Sequence, residues 1–290
     1  MAPRTAYQAS KATPKTLTEL IRRASPILWQ TSPKYHQGML TNVMDADDIL
    51  GRPYLDDINT EAIDYYTRTI KANLRPGSVN RKLNSLHSLL KFAYDREWIS
   101  KMPKFTWQTD DAERIRWLSP EEEKTLLETL PKVDKTHGEA VAALCEILLH
   151  TGCRRDEIRT LERGQIDGNY LRLWKTKTKR PRSVPLTDRA KELLDKWVPF
   201  NLTTMQIHRA WTKAKKEMGL ENDRDFVLHM LRHTTATRLL DTTNNIVVVQ
   251  KMLGHSKITT TLRYAHLADD GLLDSIRLTA QKYGNLATSG

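Results

Sequence analysis

Apolar residues recur at helical spacing through most of the first hundred positions. The pattern from Leu17 to about Trp98 predicts several helices, separated by breaks near prolines 33, 53 and 76. The clearest of these helices is predicted to begin at Ser78, a good N-cap residue. Its apolar stripe consists of Val79, Leu83, Leu86, Leu90 and Ala93. These patterns indicate a helical domain over residues 17–106, preceded by a flexible tail over residues 1–16.

The middle of the chain changes character. Residues 107–116 show no periodicity and are predicted to form a linker. Residues 119–122 supply a serine N-cap, a proline in the first turn and a glutamate three residues after the serine, which together predict the start of a helix. Residues 166–186 are predicted to be a β-segment, because Leu171 and Leu173 alternate with residues of the opposite face.

Helical patterns return after this β-segment. Helices are predicted from Thr187 and from about Thr204 to Gly219, and residues 269–283 read as an amphipathic tail helix. The polar run before Tyr264 predicts a short, mobile helix rather than a core element. The predicted fold class is therefore mainly α with a small β-hairpin or sheet, in two domains, of which the second spans residues 117–290.

Charge narrows the class of partner. The chain has 290 residues, 46 Lys and Arg against 35 Asp and Glu, and a formal net charge of +11. Basic residues are in excess both in residues 1–110 and in the remainder. An acidic partner is expected, and an excess in both halves favours a long polymer over a small nucleotide. A protein that is merely soluble and basic would show the same excess.

Cysteine content and hydropathy bear on the compartment. The two cysteines, Cys145 and Cys153, give no disulfide framework and fit a reducing cytoplasm. The longest apolar run, residues 140–149, contains Glu146 and is too short to span a bilayer. No signal-peptide pattern is seen near Met1. A cytoplasmic protein without a membrane partner is expected.

The residues with the clearest chemistry lie near the end of the chain. His229, Arg232 and His233 form one block, and His255 and Tyr264 lie in a second block nine residues apart. Arginines stabilise the charge of a phosphodiester under attack, histidines donate hydrogen bonds or protons to it, and a tyrosine beside them is a candidate nucleophile. At pH 7 an ordinary tyrosine ionises at a cost of about 4 kcal/mol, so cations beside it favour reaction.

Zinc binding is the competing interpretation of the same block. His229 and His233 are four residues apart, so on a helix they share one face. However, no glutamate lies between them, and the two cysteines have the wrong spacing for a metal clip. The sequence therefore favours a site without metal.

Two further blocks, Thr151 to Ile158 and Trp174 to Leu186, precede the histidine block. In this order and spacing the blocks, from roughly Trp117 to His266, resemble the catalytic domain of the tyrosine recombinase family, which includes lambda-type integrases and Xer-type enzymes. Two positions depart from the family pattern, Met230 in place of an aspartate and Thr235 in place of an aromatic residue. The resemblance implies a catalytic set of Arg154, Lys177, His229, Arg232, His255 and Tyr264.

The resemblance implies a chemical role for each of these residues. Tyr264 attacks the scissile phosphate and forms a 3′-phosphotyrosyl link, while the arginines hold the phosphate and Lys177 protonates the leaving 5′-oxygen. His229 assists proton transfer, His255 hydrogen-bonds the phosphate, and Glu157 orients a neighbouring side chain. No cofactor and no metal are expected. The lysine is assigned from its distance to the Val-Pro-Leu end of the β-segment.

The resemblance also implies partners. These are double-stranded DNA with inverted half-sites and a homotetramer on two duplexes, and there is room for an accessory protein that sets the direction of reaction. The turn of the β-segment and one polar face of the helix from Ser78 would contact DNA, although such faces are commonly only solvated. The residues assigned to DNA contact are Asn80, Arg81, Asn84, His87, Lys91, Lys175, Lys179 and Arg180.

Several functions share this set of motifs. A site-specific recombinase that integrates or excises a phage or mobile element is favoured by the chain length, the tail after Tyr264 and the His-x-x-Arg-His block. A type IB topoisomerase has the same site but reseals the same strand. A regulator on a decayed recombinase fold should lack an active-site position, and none is missing here. A Xer-like dimer resolvase remains the alternative within the recombinases.

Overall fold

The computed structural model describes residues 13–109, 115–174, 181–267, 277 and 279–281. The chain divides into two compact units, Met1–Ala112 and Glu113–Gly290. The described residues are mostly helical and include one small antiparallel sheet, so the predicted fold class is confirmed. None of the described helices combines the length and the apolar character needed to cross a membrane.

The first unit is built from helices that begin at good capping residues. Its helices are α1 (Leu17–Leu28), α2 (Pro33–Ile49), α3 (Thr60–Lys71) and α4 (Pro76–Tyr94). The side chains of Thr16, Ser32 and Asn59 accept backbone hydrogen bonds at the starts of the first three. Apolar faces from all four meet in one core, in which Leu17, Val43, Ile63, Leu83 and Leu86 are fully buried.

The N-cap of helix α4 lies three residues earlier than predicted. Arg75 is its N-cap and Pro76 its first residue, so the assignment of Ser78 as N-cap is wrong. The physical reason is that the fixed φ of proline suits the first helical position, where its missing N–H is not needed. The predicted apolar stripe is correct, since Val79, Leu83 and the later members are buried.

The second unit packs its helices around α6, which is apolar on nearly every face. The helices are α5 (Pro120–Val133), α6 (Gly138–Thr151), α7 (Arg155–Arg159), α8 (Asp188–Trp197), α9 (Thr204–Glu217), α10 (Met230–Thr243) and α11 (Ile246–Leu253). The predicted capping box is present, because the side chains of Ser119 and Glu122 each bond the other's backbone N–H. The core includes Leu144, Ile147 and Leu194, all fully buried.

The sheet lies between α7 and α8 in the sequence. Strands β1 (Ile166–Asp167), β2 (Tyr170–Leu173) and β3 (Arg182–Pro185) run antiparallel in the order β1-β2-β3. Leu171 pairs with Val184 and Leu173 pairs with Arg182. Both leucines are buried, as their alternation predicts. Residues 175–180 between β2 and β3, which include Lys175, Lys177, Lys179 and Arg180, lie outside the described residues.

Tyr264 belongs to a small separate core. Two 3-10 turns, Ile258–Thr260 and Leu262–Leu267, follow α11, and Tyr264 on the second is only 1% exposed. The prediction that this segment is not a core element is therefore wrong. The polar run misleads because its last member, Thr261, is fully buried with its hydroxyl 2.9 Å from a ring nitrogen of His255. The apolar partners of Tyr264 are Ile115, Ala236, Leu240, Val249 and Leu253.

Candidate active site

Arg154 is placed by the corner between two helices. Gly152 ends α6 in the left-handed conformation, with φ of 60°, and Arg154 then becomes the N-cap of α7. The carboxylate of Glu157, one turn into α7, accepts hydrogen bonds from the backbone N–H of Arg154 at 2.8 Å and from its Nη1 at 3.0 Å. Glu157 thus fixes both the backbone and the guanidinium of Arg154.

Arg182 is the second cation on Glu157, and its side chain is only 10% exposed. Its Nη1 and Nη2 donate to the two carboxylate oxygens at 2.9 and 2.7 Å. The sequence motifs assigned no role to Arg182, which is the first residue of β3. The alternation along β3 is the signal that could have found it, because Arg182 shares a strand face with the buried Val184.

This network depends on the backbone of Gly254. A Cβ atom on Gly254 would lie 2.5 Å from Cδ of Arg182, and the φ of Gly254 is +67°. A glycine here therefore allows the chain that leads to His255 to pass directly against the arginine. Arg182 in this way links the hairpin, Glu157 and the turn before His255.

Burial and the neighbouring arginines have opposite effects on the pKa of Glu157. Burial would raise its pKa, but hydrogen bonds and charge from Arg182, followed by contacts with Arg154, lower that pKa to about 2. The carboxylate is therefore ionised throughout the physiological range. One carboxylate faces two guanidinium groups, so the cluster retains an excess of positive charge.

Arg232 adds a third guanidinium in a buried position. Its Nη1 donates to the carbonyl of Gly152 and its Nη2 to the carbonyl of Leu253, both at 2.6 Å. These carbonyls end α6 and α11, where the helix dipoles favour a cation. Burial, with repulsion from Arg154 and Arg182, lowers the pKa of Arg232 to about 10. It stays charged at pH 7.

Thr235 explains one departure from the family pattern. Its hydroxyl lies 2.8 Å from the carbonyl of Leu149, which ties α10 to the end of α6. A Cβ built on Gly152 would already lie 3.2 Å from Cγ2 of Thr235. Because the two helices approach closely at this point, the small threonine fills the space in which the family often has an aromatic residue.

Four of the predicted residues line one cavity of about 560 Å³, namely Arg154, Glu157, His229 and Arg232. A concave site with converging guanidinium groups suits an oxyanion such as a phosphodiester. Among the residues that the structure describes, no group of three or more histidine, cysteine, aspartate and glutamate side chains is placed to hold a metal ion.

Two predicted histidines belong to the same electrostatic environment. His229 caps α10 and opens onto the cavity, and desolvation followed by Arg232 and Arg154 lowers its pKa. His255 follows Gly254, and its Nδ1 lies 2.9 Å from Oγ1 of Thr261. Burial, with the nearby arginines, lowers the pKa of His255 to about 4. This histidine is therefore neutral at pH 7.

The nucleophile candidate is held by a histidine that the sequence did not assign to the site. Nδ1 of His233 lies 2.6 Å from the hydroxyl of Tyr264. The sequence did reveal the spacing of His233 from His229, and their rings are 5.0 Å apart. It could not reveal the bond to Tyr264, because 31 residues separate the two side chains.

The predicted DNA-binding face of α4 divides into two groups. Asn80 exchanges two hydrogen bonds with the backbone of Gln108, at 2.7 and 2.8 Å, and His87 packs edge-on against Phe105 and Trp107. These two side chains therefore have an intramolecular role that sequence reasoning missed. The exposed members of the face are Arg81, Asn84 and Lys91, the last of which is ion-paired with Asp95.

Comparison with known proteins settles the family. The sequence description of the phage integrase family matches residues 116–270, which is more than half of the chain. The chain belongs to the phage integrase family. This integrase-family protein is 28% identical over 289 residues to the integrase of Escherichia phage P2, across 97% of this chain and 82% of that protein. It is 27% identical over 267 residues to tyrosine recombinase XerC of Pediococcus pentosaceus, across 83% and 86%.

A solved relative shares the fold. A lambda integrase tetramer bound to a Holliday junction superposes with a TM-score of 0.68 and 18% identity, over 84% of this chain and 78% of that one. The predicted membership in the tyrosine recombinases is confirmed. This integrase-family protein is a site-specific DNA recombinase.

Proposed function

We propose that Tyr264 is the nucleophile with which this recombinase cleaves and rejoins DNA strands. The phenolic oxygen attacks the scissile phosphorus, a 3′-phosphotyrosyl bond forms, and the 5′-oxygen leaves. The observation that supports this role is the bond between Tyr264 and His233, which lies beside the cationic cavity. A nucleophile paired with a base next to an oxyanion site is the arrangement that acyl- and phosphoryl-transfer enzymes require.

The arginines hold the phosphate in this proposal. Arg154 lines the cavity with its guanidinium oriented by Glu157, and Arg232 is fixed by two helix carbonyls. Neither can rotate away without breaking charge-assisted hydrogen bonds, so both are positioned before the substrate arrives. By analogy with other phosphoryl-transfer enzymes, an arginine of this kind contributes roughly 10³–10⁵ in rate.

The remaining roles are carried by Lys177, His229 and His255. Lys177, which belongs to the connection between β2 and β3 outside the described residues, protonates the leaving 5′-oxygen. His229 assists proton transfer at the cavity, and His255 hydrogen-bonds the phosphate. Lys175, Lys179 and Arg180 of the same connection contact the DNA backbone, which would add to the salt dependence of binding.

The experiment uses a nicked suicide duplex that carries the recombination site. We expect wild-type protein to form a detergent-resistant DNA adduct, because the cleaved strand cannot be rejoined. Tyr264→Phe should form none. Tyr170→Phe is the matched control, since Tyr170 is an exposed tyrosine of the same unit, and it should form the adduct normally. An adduct that survives Tyr264→Phe contradicts the assignment.

The biological role is proposed as integration or excision of a phage or mobile element. Two of the most similar relatives, from Escherichia phages 186 and P2, are named integrase. The alternative is dimer resolution, since another relative is named XerC. The two are separated by the DNA site, so recombination should be assayed between plasmid copies of the sequence that flanks this gene. Strand exchange between an element end and a chromosomal site supports integration. Exchange only between identical sites supports resolution.

Assembly follows from strand exchange between two duplexes with inverted half-sites, which needs four protomers. We propose a head-to-tail ring in which residues 269–283 of each protomer dock on the next. Most of this segment, including Leu272, Leu273 and Ile276, lies outside the described residues. Deletion after Ala268 should preserve half-site binding and abolish synapsis. We propose that an accessory protein sets the direction of reaction and that the protein acts in the cytoplasm.

A further inference from the structure

We infer that His233 is the general base that accepts the phenolic proton of Tyr264 during strand cleavage. The inference deepens the proposed function and rests on Tyr264 being the nucleophile. Sequence comparison with the family motifs assigned no role to His233. Its placement in the site comes from the structure alone.

His233 is in direct contact with the hydroxyl of the buried Tyr264. Nδ1 of His233 and the hydroxyl of Tyr264 are 2.6 Å apart, which is a short hydrogen bond. Tyr264 is 1% exposed, so bulk water has little access to its hydroxyl. A proton leaving that oxygen therefore has a nitrogen acceptor already in contact with it.

The position of His233 on α10 is rigid. The residue before it, Arg232, is anchored to the carbonyls of Gly152 and Leu253. Two residues after it, Thr235 is hydrogen-bonded to the end of α6. The imidazole is therefore held on a fixed helical turn, which a base needs if its nitrogen is to stay aligned with the nucleophile.

Two permanent cations act on His233, namely Arg232 on α10 and Arg263 on the turn that carries Tyr264. His229 and His255 also lie near it, and protonation of either would add to the repulsion. Burial, with these neighbours, lowers the pKa of His233 to about 4. At pH 7 the imidazole is neutral, with a lone pair on Nδ1 when Nε2 carries the proton. It can then accept the bond from the tyrosine hydroxyl.

A bound phosphodiester changes this balance. Its negative charge lies among the same arginines that oppose protonation of His233, so it offsets their repulsion. An imidazolium that is disfavoured in the free protein becomes less costly once the scissile phosphate occupies the cavity. The base therefore gains strength when the substrate is present, which ties activation of Tyr264 to correct DNA binding.

The step balances as a proton transfer coupled to displacement. The proton of the tyrosine hydroxyl moves to Nδ1 of His233 as the bond from the phenolic oxygen to phosphorus forms. The bond from phosphorus to the 5′-oxygen breaks, and that oxygen takes a proton from Lys177. In rejoining, the 5′-hydroxyl attacks phosphorus and its proton returns to Lys177, while the bond from phosphorus to the tyrosine oxygen breaks and His233 returns its proton to that oxygen. No other reactant is needed.

His229 is the other histidine near this chemistry, and geometry separates the two. His229 opens onto the cavity between the arginines, where it faces the phosphate. His233 lies one helical turn further along α10 and contacts the nucleophile. In this proposal His229 therefore acts on the phosphate, and His233 acts on the hydroxyl of Tyr264.

The test compares His233→Asn with wild type in single-turnover adduct formation on the suicide duplex. Asparagine places its Oδ1 near the position of Nδ1, so it can keep the hydrogen bond to Tyr264 but cannot hold a proton near neutral pH. We expect the cleavage rate to fall about 10²–10⁴-fold while half-site affinity stays unchanged. A phenol ionises with a pKa near 10, so the variant's residual rate should rise about tenfold for each pH unit between 6 and 9. The wild-type rate should depend far less on pH over that range.

Two controls assign the effect to the base. A duplex whose 5′-bridging oxygen is sulfur needs no proton on its leaving group, so it should rescue Lys177→Ala and fail to rescue His233→Asn. Added imidazole should restore part of the rate of His233→Gly, which also covers the case in which the asparagine variant folds poorly. Rescue of His233→Asn by sulfur would place the histidine at the leaving group and overturn the inference.

The outcomes separate the inference from the proposed function. If wild type forms no adduct through Tyr264, the nucleophile assignment itself fails. If wild type forms the adduct and His233→Asn cleaves at the wild-type rate, His233 only tethers the tyrosine and the inference fails alone. A pH-independent loss of rate without imidazole rescue would likewise reduce His233 to a structural role.

Discussion

At the scale of single residues, the site is organised by incomplete compensation of charge. Arg154, Arg182 and Arg232 converge on one carboxylate, Glu157, and on backbone carbonyls. A buried charge that lacks full compensation is costly to desolvate. Burial, followed by repulsion from Arg154 and Arg182, lowers the pKa of Arg232, so an anion bound beside it would stabilise its charged form. In the proposed mechanism the phosphate of DNA supplies that charge, and we therefore expect substrate binding to stabilise the cluster.

Gly254 gives a prediction at this scale. Gly254→Ala must adopt φ near +67° and bring a methyl group against Cδ of Arg182, so we expect a loss of about 2–4 kcal/mol in the free energy of unfolding. Gly168→Ala is the matched control, because Gly168 has φ of +55° and nothing within 4 Å. It should lose only about 1–2 kcal/mol. Urea denaturation measures both, and equal losses would show that the contact with Arg182 is unimportant.

Some site residues could be predicted from sequence motifs, whereas others are recognised only by their contacts in the structure. The motifs identified Arg154, Arg232 and Glu157, and the structure brings these side chains to one cavity. His233 and Arg182 gain their importance from partners 31 and 25 residues away. Spacing along α10 does not reveal that His233 contacts Tyr264. The alternation along β3 places Arg182 on the face of the buried Val184, but it does not identify Glu157 as the partner.

At the scale of elements, α4 does more than present a polar face. Asn80 closes a pair of hydrogen bonds with the backbone of Gln108, 28 residues further along. His87 packs against the aromatic rings of the same segment. The helix therefore fixes the chain that leaves the first unit, which a polar stripe alone does not predict.

Substitution of Asn80 and of Asn84 tests whether the first stabilises the fold and the second binds DNA. Asn80→Ala leaves the N–H and carbonyl of Gln108 without these partners, so we expect a loss of about 1–2 kcal/mol in unfolding free energy. Asn84→Ala removes an exposed side chain one turn away and should change stability by less than about 0.5 kcal/mol. Its effect should instead be weaker DNA binding, measured by half-site titration. Equal stability of the two variants would contradict the structural role of Asn80.

Elements were predicted well where their signals are local. The capping box at Ser119 and the alternation of Leu171 and Leu173 both act within a few residues, and both were correct. The start of α4 was missed because a serine N-cap was preferred to Pro76. The turn around Tyr264 was misjudged because its threonines look solvated in sequence, whereas Thr261 is buried and bonded to His255.

At the scale of the whole molecule, both units are basic, and the second holds Tyr264 with the partly buried His233 and its neighbour His255. DNA binding and catalysis therefore depend on salt and pH in different ways. Salt weakens contacts with phosphates along the duplex. Acid acts on the buried histidines, whose neutral forms the fold requires.

This difference predicts how stability depends on pH. The pKa values of His233 and His255 are lowered from 6.5 to about 4, so between these values the unfolded chain binds protons that the folded chain excludes. The contribution of the two neutral histidines to the free energy of unfolding is fully present above pH 6.5. It decreases as the pH falls and is lost completely below about pH 4. We expect the two to cost on the order of a few kcal/mol at pH 4.

The measurement is urea denaturation of the full chain at half-unit steps from pH 7 to pH 4. The double variant His233→Asn, His255→Asn has no imidazole at either position, so its unfolding free energy should fall less steeply over that range. His208→Asn is the control, because His208 is exposed on α9 and its loss should leave the slope unchanged. The slope, rather than the absolute stability, is decisive, since the substitutions also change packing. A double variant with the wild-type slope would mean that other groups cause the acid sensitivity and that these two histidines are not held neutral by the fold.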